Sequence, residues 1–249
     1  MIDIHSHLDD EKIIKNLDEV IKRAIDEGVK YIVTAGVNIN SSIKAIEISK
    51  KYNIVFGVIG IHPSEARHYD YQNLPELESL IKEEKILGIG EIGLDYTYKT
   101  DKNLQIKIFE KQLEIASKFN LPVVLHIRNT FNDIFEIVKN FNLNLIWHSF
   151  TGTIKEAEKF LEIGGYISFS GIITFKNAEN LREVVKIIPN DKIFLETDSP
   201  YLTPEPIRGK INEPSYIKYI YKKVSEIKNL ELEELIKMIE ENFKKIFNV

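Results

Sequence analysis

The strongest constraint on the fold of this chain is a repeated alternation of short apolar, β-branched runs with longer segments of helical spacing. Eight such runs occur, and each has the length of a buried strand. They are Ile2 to His5, Tyr31 to Ala35, Ile54 to Ile59, Ile86 to Ile89, Pro122 to His126, Leu145 to His148, Tyr166 to Phe169 and Ile193 to Leu195. Between them, apolar residues recur every three or four positions, as expected of helices that pack on a sheet.

Eight parallel strands with intervening helices close into an α/β fold, the (β/α)8 TIM barrel. A chain of 249 residues is the size of one such barrel, so we predict a single domain over residues 1–249. Residues 101–119 and 230–247 are predicted helices, the second of which closes the barrel. The alternative is a doubly wound open sheet, which would spread the strand-end side chains along one edge.

The composition excludes several kinds of site. The chain has no cysteine, so disulfides, thiolate metal sites and cysteine nucleophiles are excluded. A formal charge of −5 argues against a broad basic surface for duplex DNA, although a local positive pocket or divalent cations can still receive phosphates. No apolar run approaches the roughly 20 residues of a membrane helix. The first strand begins at residue 2 and leaves no room for a signal peptide, so we expect a cytoplasmic protein.

Polar residues that can bind metals stand where the predicted strands finish. Five of the six histidines lie at these positions, whereas His68 lies in a polar stretch. His5 and His7 are two residues apart on the first strand and therefore point to the same face. The other candidates are His62 after strand three, Glu91 after strand four, His126 and Arg128 at the end of strand five, His148 at the end of strand six and Asp198 after strand eight.

Four of these histidines with two carboxylates are too many ligands for one catalytic ion and suit two divalent ions that share a carboxylate. The expected arrangement has one ion at His5, His7 and Asp198, and Glu91 bridging to a second ion at His126 and His148. Each residue has an ordinary alternative, since a strand-end histidine often only donates a hydrogen bond and a glutamate beside glycines can cap a turn. Because buried polar groups need partners, their convergence on one barrel mouth favours metal binding.

The chain resembles the TatD family of metal-dependent deoxyribonucleases, within the amidohydrolase-like barrel superfamily. The resemblance runs almost end to end, on the segments DIHSH (3–7), GIHP (60–63), GEIGLDY (90–96), HIR (126–128), HSFTG (148–152), ETDSPYL (196–202) and RGKINEP (208–214). It implies metal ligands at His5, His7, Glu91, His126, His148 and Asp198, and a substrate-facing role for His62. Small departures from the family pattern at Ser149, Thr151 and Ile211 remove no ligand.

Candidate substrate contacts surround this set. The segment from Ser199 to Ser215 holds four of the eight prolines, which suits a stiff wall beside the metals. The candidates for holding phosphate are Arg128, Arg208, Lys210 and His62, since guanidinium engages phosphate in a bidentate manner. For Arg208 and Lys210 a solvated loop charge is the equal alternative. Three tyrosines can stack on bases, with ordinary packing as the alternative: Tyr96, Tyr98 and Tyr201.

These features predict a metal-dependent hydrolase that cleaves DNA phosphodiester bonds on single strands or at strand ends, and the family implies 3′ to 5′ polarity. Asp198 is expected to position the attacking water and act as general base, with Glu91 and His62 as further catalytic residues. The expected cofactors are two divalent ions of Mg, Mn or Zn. DNA is the expected partner, and neither a membrane nor an obligate protein partner is expected.

Two other functions remain open at this stage. A related barrel can hydrolyse an amide, a lactone, a phosphotriester or a D-aminoacyl-tRNA ester on the same site. Many such barrels carry a modified bridging lysine on strand four, where this chain has Glu91, which favours the nuclease. The other function is a binding module that has kept its metals, which an intact ligand set disfavours and a complete lack of turnover would support.

Overall fold

Eight parallel strands form one sheet whose spatial order follows the sequence order. The computed structural model describes residues 1–70 and 74–249, and in it each strand pairs in parallel with the next. The strands are β1 (Ile2–Ser6), β2 (Tyr31–Ala35), β3 (Val55–Ile59), β4 (Ile86–Asp95), β5 (Val123–Arg128), β6 (Leu145–Trp147), β7 (Tyr166–Phe169) and β8 (Ile193–Leu195). The predicted (β/α)8 barrel is confirmed, and the open sheet is wrong because it requires a reversal of strand order.

Helices surround the strands. Over the described residues they are α1 (Glu11–Ile14), α2 (Leu17–Asp26), α3 (Ile39–Lys51), α4 (Pro75–Leu80), α5 (Lys102–Phe119), α6 (Phe131–Val138), α7 (Ile154–Glu162), α8 (Glu179–Ile187), α9 (Ile217–Lys228) and α10 (Leu232–Phe247). The two predicted helices are α5 and α10, which begin one and two residues later than expected. Among the described helices, none has the length and hydrophobicity needed to cross a membrane.

The tail helix α10 covers the amino-terminal end of the barrel. Its apolar residues recur at helical spacing, and Leu235, Ile239 and Phe243 are fully buried. The ring of Phe243 lies 5.6 Å from that of Tyr31 and 6.5 Å from that of Phe56, which stand at the starts of β2 and β3. The predicted closing role of this helix is confirmed, and the site is left at the opposite, carboxyl end.

Strand β4 is longer than predicted and corrects the position of Glu91. The sequence places this residue after a strand ending at Ile89, but β4 continues to Asp95, so Glu91 lies within it. The glycines that suggested a loop allow close packing between strands instead. Gly93 has φ +153°, and a Cβ built on it would lie 1.9 Å from the carbonyl oxygen of His126 on β5. Close approach to β5 therefore requires glycine here.

The barrel closes between β1 and the chain that follows β8. The amide of Asp198 donates to the carbonyl of His5 over 2.9 Å, and the amide of His7 donates to the carbonyl of Ser199 over 2.7 Å. Ser6 and Ser199 form a parallel bridge at the same point. Asp198 has φ 54°, a left-handed conformation that aspartate tolerates better than most residues. We call this junction the seam.

The buried carboxyl group of Asp3 stabilises the seam through hydrogen bonds with Thr197. Asp3 accepts hydrogen bonds from the amide of Thr197 over 2.8 Å and from its hydroxyl over 2.5 Å, and neither residue is exposed. Burial raises the pKa of Asp3 to about 8, against the opposing effect of the hydrogen bonds from Thr197. Because Thr197 directly precedes Asp198, this contact holds the backbone from which the Asp198 side chain projects.

The segment after the seam is held from outside the barrel. The side-chain amide of Asn212 donates to the carbonyls of Thr197, over 2.8 Å, and Tyr201, over 2.5 Å. The next residue, Glu213, accepts two hydrogen bonds from the Arg23 guanidinium of α2, over 2.8 and 2.7 Å. The RGKINEP segment therefore contributes to the fold through its asparagine and glutamate.

We expect Asp3→Ala to lower the free energy of unfolding by about 2 to 4 kcal/mol, because the amide and the hydroxyl proton of Thr197 then have no acceptor, although the hydroxyl oxygen still accepts from the amide of Ser199. Denaturant titration of the metal-free protein measures this loss. Asp3→Asn keeps an acceptor for the Thr197 amide and should lose less than half as much. Equal losses in the two variants would show that the hydrogen bonds to Thr197 do not support the seam.

Candidate metal centre

The six predicted metal ligands converge at the carboxyl end of the barrel. Five of them line a cavity of about 510 Å³, and the sixth, His5, is fully buried beneath it. The five are His7, Glu91, His126, His148 and Asp198. They come from five different strands or strand ends, so the barrel alone brings them together.

Glu91 lies at the centre of the histidines, and its two oxygens face different ones. Its Oε2 lies 3.4 Å from Nε2 of His5 and 3.6 Å from Nε2 of His7. Its Oε1 lies 2.6 Å from Nδ1 of His126 and 2.8 Å from Nε2 of His148. This division is the one expected of a carboxylate that bridges two ions.

Asp198 completes the first group, and His62 joins the second. Oδ1 of Asp198 lies 3.5 Å from Nε2 of His7 and 3.8 Å from Nε2 of His5. Nε2 of His62 lies 3.5 Å from Oε1 of Glu91, so this histidine stands among the predicted ligands.

Three triads in the described chain place one ligand atom from each member within 4.8 Å of one another: His5, His7 and Asp198; His5, Glu91 and His148; and His62, Glu91 and His126. The first has the predicted membership. The other two differ from the expected second ion site, because His148 groups with His5 and because His62 joins His126. The roles of these residues as ligands stay predictions.

His5 shows that the residues fit a bound cation. Both of its ring nitrogens are buried and have no hydrogen-bond partner within the described residues. The 3.4 Å approach of Nε2 to Glu91 lacks hydrogen-bond geometry, so it does not satisfy the ring. An unpaired buried polar group is costly, and a divalent ion beside Glu91 would supply the missing partner. Imidazole and carboxylate donors suit Zn, Mn and related ions.

The electrostatics of the cavity also favour positive charge. Burial would raise the pKa of Glu91, but the nearby charges of His148 and His62 hold it well below its usual range. Burial would lower the pKa of His7, yet the hydrogen bond to Asp198 and the charge of Glu91 raise it to about 9. The carboxylates are therefore ionised at neutral pH, and a cation that binds must compete with protons on the histidines.

Two carboxylates that the sequence did not single out contact His148 and His126 at the ring nitrogens that face away from Glu91. Oε1 of Glu196 lies 3.1 Å from Nδ1 of His148, whose Nε2 faces Glu91. Oδ2 of Asp95 lies 3.3 Å from Nε2 of His126. Burial opposes ionisation of Asp95, but hydrogen bonds from His126 and Thr97 lower its pKa to about 2. Such carboxylates orient metal-ligating histidines.

A signal for both carboxylates exists in the sequence. Glu196 lies two residues before Asp198, and Asp95 lies four residues after Glu91, so each shares a strand end with a predicted ligand. Position alone does not show which way either side chain points. Contact with a particular histidine becomes visible only once neighbouring strands are paired.

The predicted substrate contacts divide between two places. Arg128 lines the cavity, and its guanidinium lies 3.9 Å from Oδ2 of Asp95, with 61% of the side chain exposed. Arg208 does not line this cavity. It is exposed, and its guanidinium carbon lies 3.8 Å from the centroid of the Phe175 ring. The sequence assigned both arginines to one mouth, and only Arg128 stands beside the ligands.

The three tyrosines that the sequence placed at the mouth also lie in different places. Tyr98 and Tyr201 line the cavity, and the hydroxyl of Tyr201 donates to Asp10 over 3.1 Å. Tyr96 instead donates its hydroxyl to Asp133 over 2.6 Å and lies outside the cavity lining, which fits packing.

Glu196→Gln is expected to lower metal affinity about 10- to 100-fold, because the neutral amide no longer favours the His148 orientation and basicity that a cation needs. Competition titration against a chelator, with Zn or Mn, measures the change. Glu213→Gln is the matched control, since this carboxylate is also buried near the segment after β8 but contacts Arg23. Similar losses of affinity in both variants would contradict the positioning role.

The whole chain is similar to metal-dependent hydrolases. A sequence profile described as TatD related DNase matches residues 2–248. The chain is 39% identical over 253 residues to the uncharacterized metal-dependent hydrolase YabD of Bacillus subtilis (strain 168), an alignment that covers 100% of this chain and 99% of YabD.

Two solved structures have the same fold over almost their full length. YJJV, a TatD homolog from Escherichia coli K12, has a TM-score of 0.91 at 25% identity, with 100% of this chain and 98% of that chain covered. A TatD family hydrolase from Entamoeba histolytica has a TM-score of 0.90 at 27% identity, with 99% and 97% covered.

Proposed function

Since this chain belongs to the family of TatD-related DNases and is a metal-dependent hydrolase, we propose that its substrate is DNA and that it cleaves phosphodiester bonds on single strands or at strand ends. The observation that carries the proposal is the division of the histidines by the two oxygens of Glu91. It supports two adjacent cation sites in one cavity. Two bound divalent ions, of Mg, Mn or Zn, would activate water and offset the charge on a phosphodiester.

Asp198 is the proposed proton acceptor. Its side chain is 13% exposed and lines the cavity, so it can reach a water molecule there. Burial would raise its pKa, but the hydrogen bond with His7 and the charges of His148 and His5 lower it. The carboxylate is therefore ionised at neutral pH and can orient a water and take its proton.

Arg128 and His62 are the proposed phosphate contacts within the cavity. The exposed guanidinium of Arg128, whose Nη1 lies 3.9 Å from Oδ2 of Asp95, can donate two hydrogen bonds to phosphate oxygens. His62 has Nδ1 2.8 Å from the hydroxyl of Ser64, which fixes the ring with Nε2 towards the ligands. Together they can hold a phosphate against the cation sites.

The shape of the cavity favours an unpaired strand. Its volume of about 510 Å³ is that of a small-molecule site, and Tyr98 and Tyr201 form part of its wall. We expect a cavity of this volume to take one unpaired nucleotide unit. The net charge of −5 also disfavours an extended binding surface for duplex DNA. We therefore propose that the protein acts on strand ends or single strands. The proposed 3′ to 5′ polarity rests on the resemblance to the family.

Glu91→Gln is expected to reduce the number of tightly bound ions per chain from two to one or none, because a neutral amide is a poor bridge between cations. Elemental analysis after dialysis against micromolar Zn or Mn gives this number. Glu196→Gln provides the contrast, since it should weaken affinity but keep two ions at saturating metal. Two ions in dialysed Glu91→Gln would count against the bridging role.

Asp198→Asn is expected to slow DNA cleavage by at least about 100-fold, since it removes the proton acceptor. The assay uses metal-stripped protein reloaded separately with Mg, Mn or Zn, on end-labelled single- and double-stranded DNA. The expected product is a one-nucleotide ladder from the 3′ end. Asp191→Asn, at the opposite end of β8, is the matched control and should leave the ladder unchanged.

Measured metal content separates the outcomes. If Asp198→Asn keeps its metals and cleaves at the wild-type rate, Asp198 is not the proton acceptor. If wild-type protein with confirmed loading leaves all DNA intact, the substrate is another ester or an amide, and lactones, phosphotriesters and D-aminoacyl-tRNA are the next substrates to assay.

A further inference from the structure

The carboxyl end of the barrel holds a second cavity beside the metal cavity. It has a volume of about 720 Å³ and is formed by the loops after β6, β7 and β8 and by the beginnings of α7 and α8. Thr151, Phe175 and Leu202 are the contributions of the three loops. The metal cavity takes most of its wall from the other side of the barrel, along β1 to β5. The mouth is thus divided into two halves, which we call the metal cavity and the second cavity.

Two consecutive residues form the boundary between the two halves. Tyr201 lines the metal cavity, and Leu202, the next residue, lines the second cavity. Because these two residues are consecutive, the two cavities meet at this part of the wall, and a polymer held in the metal cavity lies next to the second cavity.

This wall is held in place on both sides. The amide of Tyr201 donates to the carbonyl of Asp198 over 2.9 Å, and Asn212 donates to the carbonyl of Tyr201. On the other side, a Cβ built on Gly171 would lie 1.9 Å from the carbonyl oxygen of Leu202. Close packing of the β7 loop against Leu202 therefore requires glycine.

Phe175 is held in the second cavity by Arg182. The guanidinium of Arg182 donates to the carbonyl of Phe175 over 2.8 Å and to that of Lys176 over 3.2 Å. The hydroxyl of Thr174 accepts from the amide of Glu205 over 2.8 Å, which ties this loop to the segment after β8. The carbonyls of Phe175 and Lys176 are therefore paired, and the loop that carries the aromatic ring is fixed in position.

The lining has the chemistry of a nucleobase site. Its apolar part includes Phe175, Leu181 and Val184, and its polar part includes the side-chain amides of Asn177 and Asn180. An aromatic face can stack on any base, and amides can pair with base edges.

Arg208 adds a cation at the edge of this lining. Its guanidinium carbon lies 3.8 Å from the centroid of Phe175, and the residue is exposed. Because the guanidinium lies over one face of the ring, a base would stack on the opposite face, and the exposed guanidinium could contact the phosphate of that nucleotide. The position of Arg208 outside the metal cavity is explained if it serves this second half of the mouth.

We propose that the second cavity binds the unpaired base of a nucleotide next to the phosphodiester held in the metal cavity, with Phe175 stacking on the base and Arg208 contacting its phosphate. This inference rests on the proposed function, because it requires DNA as the substrate. It deepens that function by assigning a specificity site. A base in a duplex cannot leave its stack without cost, so the second cavity would select for single strands.

The test is a scan of abasic positions in single-stranded DNA. Each oligonucleotide carries one tetrahydrofuran abasic unit, at a different distance from the cleaved bond. Wild-type protein should show a drop in kcat/KM of about 10-fold at one position next to the bond, the size expected for loss of one base stack. In Phe175→Ala, the intact strand should be slower by a similar factor, and the abasic unit at that position should cost nothing more.

Phe119→Ala is the matched control. Phe119 is also half-buried with a cation nearby, Nζ of Lys118 at 5.2 Å, but it lies at the end of α5, far from the mouth. It should keep the wild-type dependence on the abasic position. Asn180→Met provides a second variant that need not disturb folding, because Asn180 is exposed and a longer, non-aromatic side chain there fills the cavity from its rim without offering a stacking face. It should reproduce the effect of Phe175→Ala.

A binding measurement keeps this test separate from that of the proposed function. 2-Aminopurine at the sensitive position should lose fluorescence on binding to metal-loaded Asp198→Asn, and should lose it much less when Phe175→Ala is added. If DNA is cleaved but the abasic scan is flat in wild type, the base site is overturned while the nuclease function stands. If DNA is not cleaved, the scan is replaced by 2-aminopurine at each position, and unchanged fluorescence at all of them overturns the base site as well.

Discussion

The closure of the barrel at the seam is the constraint on which the rest of the site depends. Hydrogen bonds between the backbones of β1 and the segment after β8 place His5, His7 and Asp198 side by side, although 191 residues separate the last two in sequence. The buried carboxyl of Asp3 and the amide of Thr197 reinforce the same junction. Because both ends of the sheet meet there, an error in barrel closure would dismantle one half of the metal centre directly.

The electrostatics around Glu91 determine which ions the carboxyl end of the barrel can bind. Glu91 is almost fully buried, and such a carboxylate is stable only with close positive partners. The histidines around it are held in turn by Glu196 and Asp95, so the ring orientations are set before any cation binds. An arrangement of this kind has the rigidity that a precisely placed metal-dependent site requires.

The two halves of the mouth suggest how a general hydrolytic centre acquires a preferred substrate. The metal cavity, which takes most of its wall from β1 to β5, also contains His148 and Asp198 from the ends of β6 and β8 and so holds five of the predicted ligands, whereas the second cavity presents Phe175 and side-chain amides. The separation by Tyr201 and Leu202 lets the second half vary without disturbing the first. Barrels support many activities because loops change while the strands that carry the chemistry stay in place.

The sequence by itself determined the eight strands, the barrel and the polar residues that meet at its mouth, because periodicity and residue chemistry are local properties. The tertiary structure alone decided the length of β4, the contacts of Glu196 and Asp95, and the place of Arg208. Strand length depends on pairing with β5, where Gly93 permits an approach that no local pattern reports. Loop placement depends on distant contacts such as Arg23 with Glu213, 190 residues apart, whose partners a linear pattern cannot identify.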